Sequence, residues 1–254
     1  MQISPPFGYR EIVPFYKQSR VRLPAAGELP EFARTSSALP VSFTEFVIAC
    51  RDYPLVFMST DNGKTFGAIA VVGMAANENL FVKNGAWEVN TYVPAYVRRY
   101  PFCMARITLG TVEQSDRVVC VESSFIAEDG EAMFDDAGEP LERWTQINKL
   151  LNEFEADLER SREMCSILAD YVLLEPFTIQ ATLKDSTPLN LGGMYRVAEK
   201  KLEYLNAAQH KNLFKKGIVG RIYAHLLSLD NFGRVLARKG ASSQAAQAAD
   251  QPKA

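Results

Sequence analysis

The densest gathering of side chains able to do chemistry lies between residues 79 and 102. Asn79-Leu-Phe-Val-Lys-Asn-Gly-Ala-Trp87 is followed by Tyr92-Val-Pro-Ala-Tyr-Val-Arg-Arg-Tyr-Pro-Phe102, which sets Trp87, Tyr92, Tyr96, Tyr100 and Phe102 around Arg98 and Arg99. Aromatic faces and guanidinium forks together suit planar or anionic groups, through stacking, cation–π contact and bidentate hydrogen bonds. A second reading stays open, in which the rings are core and the arginines pair with an acidic stretch further along. The other candidate is His225, in Tyr223-Ala-His-Leu-Leu-Ser228. A lone histidine on an apolar helix is either a hydrogen-bonded core residue or a titrating functional group. Trp87, Tyr92, Tyr96, Arg98, Arg99, Tyr100 and His225 are therefore the candidate ligand- or partner-binding residues, and no residue is assigned a catalytic role. Leu191-Gly-Gly-Met-Tyr-Arg196 is a lesser candidate, since paired glycines permit a bulge or a close backbone approach.

Familiar catalytic and metal motifs fail one by one. Gly63-Lys64-Thr65 lacks the glycine five places earlier that a phosphate-binding loop needs, because residue 58 is Met. The chain holds no GxGxxG, GxSxG or HExxH pattern, and two histidines exclude a histidine-rich metal site. Cys50, Cys103, Cys120 and Cys165 match no zinc or CxxC redox spacing and are expected to be free and mostly buried. No metal or cofactor is expected.

Stepping outward from these residues, the 254-residue chain has 47% hydrophobic residues, enough for a sizeable core, which excludes disorder as a description of the whole. Its net charge of −2 hides an asymmetry. Between Glu113 and Glu163 fifteen Asp/Glu face five Lys/Arg; between Arg196 and Lys239 ten Lys/Arg face three Asp/Glu. Such polarity could steer an anionic partner or a second copy, or could simply be solvated helix faces. A dedicated nucleic-acid binder would be far more basic. No secretory signal and no run of ~18–20 apolar residues is visible, so the expectation is a cytoplasmic protein without membrane spans, with possible peripheral association at the envelope.

The elements that must position the candidates are legible in outline. Six prolines in the first forty residues predict an extended segment over 1–40. Ser42-Phe-Thr-Glu45 fits a capping box opening a short helix. Tyr53–Ser59 and Thr65–Gly73 flank Asp61-Asn-Gly63 as a hairpin, and Asn84-Gly85 marks a turn before Trp87. Pro94–Arg99 reads as a short helix ended by Pro101, and Phe102–Val112 with Arg117–Ser124 as a second hairpin. A helix from about Leu141 to Leu174 carries the stripe Trp144, Ile147, Leu151, Phe154 and Leu158 and is expected to stop at Pro176. A third hairpin, Phe177–Leu183 with Leu189–Val197, precedes helices near Ala198–Lys216 and Ile218–Lys239, and residues 241–254 are expected to be a disordered tail. The fold class is thus α+β: an antiparallel sheet built from hairpins, with a long central helix and C-terminal helices. Residues 41–240 form one domain in this reading, with a possible sub-boundary near 140.

Several of these segments, taken in order, resemble the SapC family of bacterial proteins from about Phe7 to Leu236. They are Asp52-Tyr-Pro-Leu-Val-Phe57, Asn79-Leu-Phe-Val82 with Trp87, Tyr92 through Phe102, Gly193-Met-Tyr-Arg-Val197 with Lys201-Leu202 and Leu205, and Ile222-Tyr-Ala-His-Leu-Leu-Ser-Leu229. The resemblance implies a link to the paracrystalline surface layer of a Gram-negative bacterium, to TonB-dependent uptake systems and to flavin-dependent tryptophan halogenase-like proteins as partners. It carries over no catalytic residues. An unrelated peptide-transport permease shares the name, and a chain without spanning helices is not that protein. Three roles follow: a non-catalytic accessory or binding protein, an enzyme or small-molecule-handling protein with a pocket between sheet and C-terminal helices, and a structural surface-layer component that could self-associate. The missing signal argues against the last.

Overall fold

The computed structural model describes residues 2–109, 112–182 and 188–249, with side chains left undescribed at residue 2 and over 107–116 and 243–249. Leu183, the remaining residues of that hairpin's connection and the tail from 250 onward lie outside the described residues. The strands are β1 (Gln2–Ile3), β2 (Ile12–Pro14), β3 (Arg20–Val21), β4 (Ala38–Pro40), β5 (Leu55–Met58), β6 (Gly67–Val71), β7 (Val82–Lys83), β8 (Ala86–Trp87), β9 (Phe102–Leu109), β10 (Val112–Glu122), β11 (Glu131–Ala132), β12 (Leu174–Thr182) and β13 (Pro188–Val197). The α-helices are α1 (Glu31–Thr35), α2 (Phe46–Ala49), α3 (Ala95–Arg98), α4 (Glu142–Asp170), α5 (Ala207–Lys215), α6 (Ile218–Ser228) and α7 (Asn231–Ala249). Antiparallel hairpins, a long central helix and C-terminal helices make this an α+β fold.

Two main sheets share the central helix. One has the order β12-β13-β5-β6-β4, the other β1-β9-β10-β2, and every pairing is antiparallel. Alternation on β9 and β10 divides the second sheet's faces cleanly. Phe102 and Val121 point to a cluster with Val21, Met133, Trp144 and Leu151, while Cys103, Ala105 and Cys120 point the other way to Tyr9 and Ile12. On α4, Trp144 and Leu151 serve the second sheet, whereas Phe154, Met164, Cys165 and Leu168 enter the large core of the first. At ~1.5 Å per residue a helix of 29 residues reaches about 44 Å, long enough to bridge both cores.

The turn signals translate directly. Asn62 and Gly63, and Asn84 and Gly85, all take positive φ, which Asn and Gly tolerate best. Other expectations are corrected. The segment 1–40 is not merely extended: it adds β1 and β2 to one sheet and β4 to the other, and it forms α1. Helix α4 ends at Asp170 rather than at Pro176. Leu173 N–H bonds the Leu168 carbonyl at 2.9 Å and Val172 sits at φ 55, a Schellman closure with valine where glycine is usual. Pro176 lies inside β12 instead, tolerated because β12 is an edge strand. The helix expected over Ala198–Lys216 is split by the Asn206/Gln209 capping box, with a 3-10 turn over Glu199–Tyr204 before it. That expected over Ile218–Lys239 breaks between α6 and α7. Helix α7 runs on to Ala249 where a disordered tail was expected, since Ala-rich sequence propagates a helix already nucleated. Among the described residues no helix is long and apolar enough to cross a membrane.

Candidate functional site

The aromatic segment is held by carboxylates upstream of it. Glu45, the last residue of the capping box, is almost wholly buried, yet each of its oxygens is occupied. It accepts from Ser42 N–H (2.8 Å), Ser42 Oγ–H (2.7 Å), Ala95 N–H (2.7 Å) and the Tyr92 hydroxyl (3.0 Å). A buried charge survives when it is hydrogen-bonded on this scale, and here one carboxylate caps two helical turns at once. Asp52 accepts from Tyr92 N–H at 2.9 Å, the Tyr53 hydroxyl donates to the Tyr92 carbonyl, and Trp87 Nε1–H donates to the Tyr53 hydroxyl at 3.1 Å. The type I′-like turn at Asn84-Gly85 swings Trp87 onto this chain of bonds. Sequence reading singled out Trp87 and Tyr92 but missed Glu45 and Asp52 as their anchors; the capping-box spacing was the visible signal for Glu45.

Arg98 and Arg99 are neighbours with opposite fates, because successive residues of a short helix face different ways. Arg99 is buried, with its guanidinium 4.2 Å from the Tyr96 ring, 4.8 Å from Phe154 and 5.6 Å from Tyr9, and 3.5 Å from Glu155. Glu155 also pairs with Arg117 of β10, so the arginine does reach the acidic stretch anticipated for it. Tyr96 donates to the Phe7 carbonyl at 2.5 Å, and burial raises its hydroxyl to about 12. Tyr100, half-buried between Tyr9 and Phe125, is likewise pushed up to about 12 by burial. These phenols stay protonated at neutral pH. Arg98 instead faces outward: its Nε–H donates to the Val93 carbonyl and its Nη2–H to the Tyr92 hydroxyl, both at 3.0 Å.

Arg98 borders a cleft of about 510 Å3. One wall is a strap of residues 23–30, another the outer face of α3 with Tyr100–Phe102, and the third the first turns of α4 at Arg143, Gln146, Ile147 and Leu150; Ala86 and Trp87 of β8 add to the lining. The volume falls within the ~300–1,000 Å3 typical of small-molecule sites. Arg143 is exposed and pairs with no carboxylate among the described residues. Arg98 also lacks a carboxylate partner among them. Glu28 on the strap accepts Ala25 N–H at 2.9 Å, closing the strap's own turn. The structure thus brings Trp87, Arg98, Arg99 and Tyr100 to one cleft, though Arg99 turns its charge inward. Tyr92 lies one residue removed, lining a smaller concavity of about 370 Å3 that shares Arg98. Arg143 was missed in the sequence, since nothing in its surroundings marks it.

His225 is not part of this assembly. It is fully buried under the first sheet, where Nδ1–H donates to the Leu55 carbonyl at 2.7 Å and Nε2 accepts Val197 N–H at 3.0 Å. The register explains the geometry. Met194 opposes Met58 and Tyr195 opposes Phe57, so two pairs further on Val197 would oppose Leu55, but the ladder has ended and the imidazole fills the gap between their polar groups. Ser228, one turn on, accepts Leu55 N–H at 2.9 Å, and Asn231 donates to the carbonyls of Cys50 and Tyr53. Burial, reinforced by the charge of Arg196 and opposed by the Leu55 hydrogen bond, pulls His225 down to about 4. At neutral pH it is uncharged, with no nitrogen to offer a substrate. The four thiols are free: burial pushes Cys103 and Cys165 to about 12, Cys120 to about 11 and the partly buried Cys50 above its ordinary value, so none is a ready nucleophile. Among the described residues no three His, Cys, Asp or Glu side chains converge as a metal site.

An α+β protein with a braced aromatic helix beside an open, arginine-rimmed cleft is the class defined by this geometry. The sequence profile of the SapC family matches residues 19–235, and the chain belongs to that family. No curated protein and no solved structure matches it.

Proposed function

We propose that this SapC-family chain is a non-catalytic accessory protein of cell-envelope or nutrient-uptake pathways, and that it works by binding through the cleft beside α3. The observation that carries the reading is the pair Arg98 and Arg143, two cations without carboxylate partners among the described residues, set on the rim of one largely apolar concavity. Solvent-exposed cations are ordinary; two of them bordering a shaped apolar cleft beside Trp87 have the composition of a recognition site. The envelope and uptake link comes from the family resemblance. Binding is favoured over catalysis by the state of the groups nearest to a catalytic set, since His225 has both nitrogens on backbone partners and the buried thiols and phenols are held protonated.

The test is native affinity purification of the tagged chain from its own host at low salt, beside the double variant Arg98→Glu/Arg143→Glu, with mass spectrometry of proteins and small molecules. A protein or metabolite retained by the wild type and lost from the variant is the expected result. Equal recovery from both overturns the assignment of the cleft.

A further inference from the structure

We infer that the cleft takes a small apolar molecule bearing one carboxylate, with the carboxylate held between Arg98 and Arg143. This rests on the binding reading above and narrows it to a ligand class. Leu23, Val97, Pro101, Ile147 and Leu150 line the cleft, so its floor gains by covering with apolar surface, at ~25 cal/mol per Å2 removed from water. The charge at its rim is lopsided. Arg98 and Arg143 face outward unpaired by any described carboxylate and outnumber Glu28, the acidic side chain on the strap, one oxygen of which accepts Ala25 N–H. A cationic ligand would meet two arginines against one glutamate, and a neutral one would leave both guanidinium groups unused.

Arg98 is also prepared for the task. Glu45 fixes the Tyr92 hydroxyl, which receives Arg98 Nη2–H, and Val93 receives Nε–H, so the fork is oriented before any ligand arrives and Nη1 remains without a partner among the described residues. An oriented guanidinium loses little rotamer freedom on binding, and its planar fork matches a carboxylate. A small molecule fits better than an extended peptide, since the long walls are α3, α4 and a strap containing Pro24 and Pro30, and the one strand in the lining, β8, is only two residues long, too short an edge for extended backbone pairing.

Isothermal titration of the full chain with octanoate, 1-octanol and octylamine tests the inference. Octanoate is expected to bind at least tenfold more tightly than either neutral or cationic analogue. Arg143→Gln and Arg98→Gln are each expected to lower octanoate affinity about tenfold while leaving octanol unchanged, and Ala86→Trp, at an exposed position on the cleft, to block all three. Octanol binding as well as octanoate, or octanoate binding unaffected by Arg143→Gln, overturns the ligand class. So does an apolar peptide acid that binds more tightly than octanoate. If octanoate fails while Ala86→Trp still abolishes retention in the native purification, the ligand class falls and the binding reading stands; if Ala86→Trp leaves retention intact as well, both fall.

Discussion

The seam under α6 and the cleft beside α3 both collect polar side chains at the edge of an apolar core, but they spend them differently. In the seam, His225, Ser228 and Asn231 direct their hydrogen-bonding atoms to backbone groups of β5, β13 and the turn before β5. Beside the cleft, the inner groups Glu45, Asp52 and Tyr53 are consumed in the same way, yet the outer pair Arg98 and Arg143 has no carboxylate partner among the described residues. The difference teaches that polarity in a core-lining position is usually a structural cost met locally, whereas polarity left unpaired beside a concavity is available for something else. A histidine attracts attention by its type; here the free chemistry belongs to arginines.

The comparison breaks most visibly at His225. Replacement with Leu strands the Leu55 carbonyl and the Val197 N–H in the interior, and at roughly 1–3 kcal/mol for each orphaned group the expected loss is about 4 kcal/mol, read as a fall in the urea midpoint. A change below about 1 kcal/mol would refute the seam role. The same residue gives a pH signature. Its folded pKa near 4 lies below the unfolded value of 6.5, so the unfolded chain binds the extra proton between these values. Its contribution is fully present above pH 6.5 and falls by about 3 kcal/mol as pH drops through 4. Stability measured at pH 7, 5.5 and 4.5 should show this slope in the wild type and lose it in His225→Leu. Glu45→Gln exchanges an acceptor for an amide that meets inward-pointing donors, and about 2 kcal/mol should be lost. Because Tyr92 and Arg98 then lose their orientation, octanoate binding should weaken together with stability. Arg143→Gln is the sharpest contrast: stability within about 0.5 kcal/mol of wild type, with the change confined to binding. A large stability loss there would place Arg143 with the seam residues instead.

Much of the fold was legible because its signals are local. Asn62-Gly63 and Asn84-Gly85 mark positive-φ turns, Ser42 and Glu45 a helix start, and the spacing of Trp144, Leu151 and Phe154 a helix with one buried stripe. Boundaries failed where a non-local contact overrode the local code. Val172 ends α4 in a conformation that its branched side chain disfavours, and Pro176 sits in a strand because only one side of β12 is paired. The aromatic and arginine segment could be named in the sequence, but not the direction in which each residue faces.

Composition and pattern by themselves determined the α+β class, the hairpins, the long central helix and the concentration of aromatics around Arg98 and Arg99, since each depends on residues within a few positions of one another. Only the tertiary structure decided that Arg99 is sealed among Tyr9, Tyr96 and Phe154 while Arg98 shares a rim with Arg143, and that His225 stands in for a missing ladder bond between Leu55 and Val197. Burial and hydrogen-bond partners are properties of neighbours in space, and these neighbours lie 28 to 170 positions apart along the chain at His225.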